Sequence, residues 1–402
     1  MGLTVGPGRL SNCWRRCSIG NMKIKLLILQ THPIQYYAPL YRRLAERGRI
    51  EILVVYLTAP GPTGQFDPGF GRRVKWDIDL LGGYRSRILK ENVSITDLGF
   101  LGRYGRGLAQ VFQGERPDWV YVYGYTHLAN WRLTTLAKQS GARVMYSADS
   151  NARIGVTPVR RLLKALPVRL FLSRVNAFLY NAEANRDYLL SFGAPRSKMH
   201  HCPFCIDVRR FACNTDSVNG VRAVDFCWTG KLSPRKRVGD FLDALLLLRS
   251  AGLRFKAVIA GDGEDAALVR QKGAPLIAED SLRYLGFLNQ SEVPEVLWMS
   301  EVYVFTSEYD AYGLAVTEAA AAGCAVIASD ICGCVGELGS AQPGRNALTY
   351  GPGDVEALAE LMKTLLLDTG RRSRMQREST VVASLHDLDV ACECIEELAS
   401  HE

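Results

Sequence analysis

Short apolar runs alternate with amphipathic stretches along almost the whole chain. In the first half, Ile24–Leu29, Ile50–Leu57, Trp119–Tyr123, Arg143–Ser147 and Ala177–Tyr180 have the unbroken hydrophobicity of strands buried on both faces. Between them, Ala38–Arg47, Leu128–Gln139 and Ala182–Phe192 carry apolar residues at helical spacing. In the second half, strands are expected at Val224–Trp228, Lys256–Ala260, Val302–Thr306 and Ala325–Ala328. Helices are expected there at Val238–Ala251, Glu264–Lys272, Ser291–Met299, Leu314–Ala322 and Val355–Leu367. Strands that alternate with covering helices build parallel sheets, so the pattern predicts an α/β fold.

Residues 203–222 interrupt the pattern. They hold Pro203, Asn214, Asp216 and Asn219 and show no apolar period, which marks an interdomain connection. The expected organisation is an N-terminal domain over 22–205, a linker over 206–222, a C-terminal domain over 223–375, and a last helix over 376–402 placed to cross back to the first domain. Residues 1–21 carry Arg9, Arg15 and Arg16 but no apolar run of a secretion signal, so a disordered extension ahead of a fold beginning at Met22 is expected.

Composition narrows the class further. The 402 residues are 48% hydrophobic and 22% charged, enough for two cores and unlike disordered, collagenous or disulfide-stapled chains. No run approaches the roughly 18 apolar residues of a membrane-spanning helix. The 11 cysteines are an odd number scattered along the chain, which suits reduced thiols and a cytoplasmic protein. The net charge of +8 is compatible with a phosphorylated small molecule, an anionic lipid surface or a nucleic acid, and selects none of them. Nucleic acid is the weakest of the three, because the cations are not interleaved with stacking aromatics.

Ligands of open α/β sheets bind beyond the carboxyl ends of strands, so chemistry is expected there. After the first strand of the second half comes Thr229-Gly230-Lys231-Leu232-Ser233-Pro234-Arg235-Lys236-Arg237, a glycine turn followed by converging cations. Glycine admits a close backbone approach, and Lys231 and Lys236 can neutralise a diphosphate. After the next strand, Gly261-Asp262-Gly263 forms a tight turn into a helix, too little to make a dinucleotide fingerprint. The richest segment runs from Val302 to Asp330 as strand, loop, helix and strand. A helix starting at Gly313 and Leu314 would offer free N–H groups to a phosphate, with Asp310 ahead of it and Glu318 one turn inside.

Taken in order, Gly230-Lys231-Leu232-x-Pro234-x-Lys236, Gly261-Asp262-Gly263, Asp310-Ala-Tyr-Gly313-Leu314 with Glu318, and Ala322-Gly323 through Asp330 resemble the retaining GT-B glycosyltransferases of family four. The likeness continues through Asn346-Ala-Leu-Thr and Gly353-Asp354, and in the first half through Arg116-Pro117-Asp118 and Phe192-Gly193-Ala-Pro195. It implies two Rossmann-like domains facing across a cleft and transfer of a sugar from a nucleoside diphosphate donor to a hydroxyl acceptor, with retention and without a cofactor or obligatory metal. It further implies that Lys231 and Lys236 hold the donor diphosphate and that Glu318, the second acid of an E-x7-E motif, binds the ribose. Asp310 stands at the first acid, which faces the transferred sugar. This chain carries Asp where the family has Glu, and Lys231 where it commonly has Arg, so Glu308 is a rival for the sugar-facing place. His127, just past a strand, matches a histidine near the reacting sugar, and Asp310, Lys236 and His127 form the expected catalytic set. A subgroup of bacterial relatives shares an opening like His32-Pro-Ile-Gln35-Tyr-Tyr and a segment like Asp149-Ser-Asn151, which assigns His32, Gln35, Asp149 and Asn151 to the acceptor, against plain loop hydrogen bonding.

Three other patterns compete for chemistry. Asp77-Ile-Asp79 spells a metal-binding D-x-D, but it lies far from the donor motifs and is not expected to bind metal. His200-His201-Cys202-Pro-Phe-Cys205 lacks a second ligand pair at zinc-finger spacing. Arg153 to Arg174 holds six cations and no acid among leucines, broken by Pro158 and Pro167. That stretch suits an anionic membrane surface or a lipid-pyrophosphate acceptor, or else a helix covering the sheet. A catalytically silent sugar-nucleotide binder and a non-hydrolysing epimerase remain the alternative functions.

Overall fold

Every residue of Leu26–Gln30 is buried, so the strand they form, β1 (Lys25–Gln30), has to lie inside a sheet covered on both faces. The computed structural model describes residues 23–59, 64–67, 69–91, 93, 104–153, 157–212 and 222–401. After β1 come α1 (Ala38–Arg47), β2 (Glu51–Tyr56), a small antiparallel hairpin of β3 (Gln65–Asp67) and β4 (Arg72–Val74), and β5 (Ser86–Ile88). The domain continues through α2 (Leu108–Glu115), β6 (Trp119–Tyr123), α3 (Leu128–Ser140), β7 (Arg143–Ser147), α4 (Pro158–Leu172), β8 (Ala177–Tyr180), α5 (Glu183–Ser191) and β9 (Met199–His201). Seven strands make a parallel sheet in the order β5-β2-β1-β6-β7-β8-β9.

The side-chain period of two splits the core between the faces. Leu27, Leu29, Val120 and Val122 face a cluster with Leu108 and Val111 of α2 and Leu133 of α3. Leu26, Ile28 and Tyr121 point the other way, against Leu40 and Leu44 of α1. Each such fully buried aliphatic side chain contributes about 2 kcal/mol of burial free energy.

A short helix, α6 (Val208–Phe211), precedes the second domain. There follow β10 (Val224–Thr229), α7 (Val238–Ser250), β11 (Ala257–Ala260), α8 (Ala266–Lys272), α9 (Ala274–Ala278), β12 (Leu282–Gly286), α10 (Val293–Trp298), β13 (Ser300–Phe305), α11 (Leu314–Ala321), β14 (Ala325–Ser329) and β15 (Ala347–Tyr350). Then come α12 (Val355–Leu367), α13 (Thr369–Ser384) and α14 (Leu388–His401). The strands form a second parallel sheet in the order β12-β11-β10-β13-β14-β15. In each sheet the chain reverses its direction of winding at one place, between β1 and β6 and between β10 and β13. Such switch points leave a crevice at the carboxyl ends.

The chain returns to the first domain through α14. Ala391, Cys392 and Ile395 pack with Leu40 and Leu44 of α1, and the guanidinium of Arg47 grips the buried Glu396 carboxylate at 3.0–3.1 Å. Burying that carboxylate is tolerable because Arg47 satisfies both oxygens.

The structure departs from the sequence reading at several places. The expected boundary at 375/376 falls inside α13, and the crossing is made at residues 385–387 between α13 and α14. The expected linker is partly structured: Ile206 pairs with Asp387, and α6 packs on α11 through buried Phe211. One helical turn is too short to show a period. Pro158 and Pro167 do not break the basic stretch, because Pro158 begins α4 and Pro167 sits inside it on an exposed face where water can serve the freed carbonyl. The extension over 1–21 lies outside the described residues.

Candidate active site in the interdomain cleft

The two switch points open onto one cleft of about 440 Å³. The first domain contributes Gln35, Tyr36 and Tyr37 after β1, Asp149 after β7, and Phe70 and Trp76 beside the β3–β4 hairpin. The second contributes Gly230, Lys231, Arg235 and Lys236 after β10, Gly261 after β11, and Asp310 to Ala315 with Glu318 after β13.

Local chemistry explains the shape of the second-domain wall. Gly230 and Gly261 touch backbone to backbone, and a Cβ on Gly261 would stand 1.9 Å from the Gly230 carbonyl oxygen. No other residue fits there. The turn Pro234–Lys236 is anchored from below, since the buried Trp228 indole donates to Thr306 Oγ1 at 2.9 Å and that hydroxyl donates to the Lys236 carbonyl at 2.7 Å. Gly313, at φ 110°, begins α11 without a side-chain cap, so the first N–H groups of that helix face the cleft at its positive end.

Both lysines are held by carboxylates. Lys236 Nζ lies 2.5 Å from Asp310 Oδ2, with both side chains only 15% exposed, and 4.8 Å from the Phe305 ring centroid. Lys231 Nζ donates to both oxygens of Asp67 at 2.7 and 2.8 Å and lies 4.8 Å from the Phe70 ring. Asp67 belongs to the first domain, at the tip of the β3–β4 hairpin, so this pair also bridges the domains.

Glu318 is buried, and loss of water raises its carboxyl pKa to about 7, with the charge of Arg210 in α6 opposing the shift. Arg210 is fixed by Gln290, donating to its carbonyl and its side-chain oxygen at 2.7 Å each. Across the cleft, the Asp149 carboxylate is open to the lumen yet ringed by protein that excludes bulk water. That desolvation, followed by the charge of Asp310, raises its pKa to about 6.

Of the expected donor residues, Gly230, Lys231, Lys236, Gly261, Gly313, Leu314 and Glu318 line the cleft together with Asp310. Asp262 and Gly263 stand behind it, Asp262 accepting from the Gly263 N–H at 2.9 Å. Of the two acids weighed for the sugar-facing place, Asp310 lines the cleft, and Glu308 is exposed and outside the lining. Of the acceptor set, Gln35 and Asp149 line the cleft. Asn151 does not; its amide nitrogen reaches the Ala311 carbonyl at 3.3 Å and its oxygen accepts from the Arg153 N–H at 2.7 Å, so it ties the domains together. His32 and His127 follow the two switch-point strands but are not among the lining residues. Burial holds His32 below its usual pKa, with the charge of Asp67 raising it and that of His127 lowering it.

The D-x-D pair is occupied by structure. Asp77 accepts from the Ser291 N–H at 3.2 Å across the domains, and Asp79 accepts from Leu81 and Gly82, which lowers its pKa. Cys202 and Cys205 are buried against α14. Among the described residues no three acidic, histidine or cysteine side chains are grouped to hold a metal ion.

Comparison with known proteins now bears on this cleft. Residues 33–205 match the glycosyl transferase 4-like domain, and residues 222–381 match glycosyl transferases group 1. The chain belongs to the GT-B glycosyltransferases of family four. Its similarity to curated relatives is partial. Glycogen synthase of Mycobacterium tuberculosis is 30% identical over 158 residues, and O-antigen chain mannosyltransferase B of Escherichia coli is 27% identical over 150 residues. The matched part is 37% of the length of each of those relatives, and 38% and 36% of this chain. Among solved structures, Anabaena HepE in complex with UDP and glucose aligns with a TM-score of 0.67 at 17% identity over 94% of this chain and all of that one. A Rickettsia africae glycosyltransferase gives 0.70 at 13% identity over 95% of this chain and all of that one. At such identities the structures establish the shared fold.

The sequence reading passed over Asp67 and Arg210, and it gave no site role to Tyr36 or Trp76, which line the cleft. Arg210 fell in the presumed linker, and Asp67 lies on strands of three residues each, too short for any period.

Proposed function

We propose that this glycosyltransferase moves a sugar from a nucleoside diphosphate sugar to a hydroxyl acceptor with retention of configuration and without a required metal. The observation that carries this reading is the convergence of Lys231, Lys236, the Gly230–Gly261 contact and the free start of α11 on one side of the cleft. That wall is cationic, closely approachable and partly dry, which is what a departing diphosphate needs. In this reading Glu318 takes the ribose hydroxyls, Asp310 the transferred sugar, and Gln35 and Asp149 the acceptor. The leaving diphosphate oxygen takes the acceptor hydroxyl proton on the same face as the new glycosidic bond. HepE binds UDP and glucose, as its complex records, and this supports a sugar-nucleotide donor here.

A thermal-shift series with UDP-, GDP-, dTDP- and ADP-sugars, with and without magnesium, tests the donor. Saturation at about 100 times Kd is expected to add roughly 2.7 kcal/mol with one nucleotide class, equally in both conditions. A shift that appears only with magnesium would remove the metal-free part, and no shift with any donor would remove the reading. Product analysis by NMR decides retention.

The Asp67–Lys231 pair yields a second expectation. A bound diphosphate must compete with Asp67 for Lys231, and the pair is partly exposed and so of modest strength. Asp67→Asn keeps a side-chain oxygen for the Gly69 and Phe70 N–H groups that Asp67 now accepts from. The variant is expected to lower the donor KM about two- to fivefold. A raised KM would instead make Asp67 an anchor that holds the hairpin over the donor.

A further inference from the structure

Helix α4 has two apolar faces. Val168, Phe171 and Leu172 are buried in the core of the first domain. On the opposite face Val159, Leu162, Leu163, Leu166 and Leu170 are 68%, 76%, 73%, 77% and 52% exposed. At about 100° per residue these five fall within an arc of about 100°, a continuous stripe rather than scattered surface leucines. Arg161 and Arg169 are exposed on the same helix, and no acidic residue occurs from Arg153 to Arg174.

We propose that this face docks on an anionic bilayer surface, with the leucines entering the headgroup–acyl boundary and Arg169, at the edge of the stripe, meeting lipid phosphates. An apolar stripe with cations and no acid on its helix is the complement of such a surface. A second copy of the chain is a poorer occupant. A two-fold contact through this face would bring together two copies of a helix that carries cations and no acid, which is repulsive. In sequence, α4 comes after Asp149, which lines the first-domain side of the cleft. A chain held on the bilayer by its first domain would meet an acceptor that is itself a hydroxyl compound with a lipid anchor. That last step rests on the transferase reading above; the docking itself does not.

The test is sedimentation of the full chain with vesicles of phosphatidylcholine alone and of phosphatidylcholine containing about one part in three of phosphatidylglycerol. Binding is expected only to the anionic vesicles and is expected to weaken with added salt. Leu162→Gln with Leu166→Gln should weaken binding about tenfold or more while leaving donor-induced thermal shifts unchanged, since both leucines are exposed and away from the cleft. Full-length protein that stays in the supernatant with both vesicles, or a double variant that binds like the parent, overturns the proposal. So does a self-associating chain whose dimer, seen by analytical ultracentrifugation without vesicles, is abolished by the same two substitutions. Because neither vesicle binding nor self-association involves a sugar nucleotide, failure here is distinguishable from failure of the transferase reading.

Discussion

Lys236→Ala is expected to lower kcat/KM by about 10²–10³-fold while the chain still unfolds cooperatively. The ammonium of Lys236 stands in the driest part of the cationic wall, and a positive charge placed there before the reaction needs no reorganisation when negative charge develops on the leaving diphosphate. In the free protein that charge is held by Asp310 at 2.5 Å. The carboxylate holds the ammonium in place in the cleft. A donor phosphate that takes over Lys236 frees Asp310 for the sugar hydroxyls, so one exchange would prepare both ends of the bond to be broken. Alanine also leaves Asp310 without its partner, which costs stability. Lys236→Ala with Asp310→Asn separates the effects: the double variant should regain thermal stability and remain inactive. Steady-state rates and Tm measured together check this. Turnover within about threefold of the parent in the single variant would remove Lys236 from the chemistry.

How much of this could be read from the chain follows from what each element needs. Strands such as Trp119–Tyr123 and Ala177–Tyr180 and helices such as Ala38–Arg47 and Val355–Leu367 show the expected bounds, because burial on both sheet faces forces an unbroken apolar run and a one-sided helix forces a period. The second-domain wall of the cleft was legible for a related reason. Gly230, Gly261 and Gly313 and the lysines sit in sequence next to strand ends, so local spacing places them. Which first-domain residues line the cleft depends on the domains meeting, and nothing local encodes that. Asn151 was expected to touch acceptor, yet it holds the Ala311 carbonyl across the interface; His127 was expected near the reacting sugar, yet it is not among the lining residues. Asp67 and Arg210 were invisible because the former meets Lys231 across 164 residues of sequence and the latter acts on Glu318 from a single helical turn.

Glu318→Gln is expected to make the protein more stable at pH 8 and a much poorer donor binder. Burial holds the Glu318 carboxyl up to about 7, above its ordinary value of 4.5, so the folded chain binds this proton more tightly than the unfolded chain. The stability from that proton is complete below about pH 4.5, falls as pH rises towards 7, and is gone above it. A difference of this size corresponds to on the order of 3 kcal/mol, and glutamine does not titrate. The variant should therefore match the parent near pH 5 and melt about 2–5 °C higher at pH 8. Donor binding moves the other way. Ribose hydroxyls that donate to an ionised carboxylate pull the proton off Glu318, so the parent's donor affinity should rise between about pH 6 and 8. Glutamine offers one neutral oxygen where the ionised acid offers two charged ones. Losing charge-assisted bonds of about 1.5–3 kcal/mol each should raise the donor Kd about 10–100-fold and flatten its pH dependence. Titration calorimetry across that range measures both. If the affinity and its pH slope survive in the glutamine variant, Glu318 serves the packing of α11 alone, and the ribose contact belongs to another residue of the cleft.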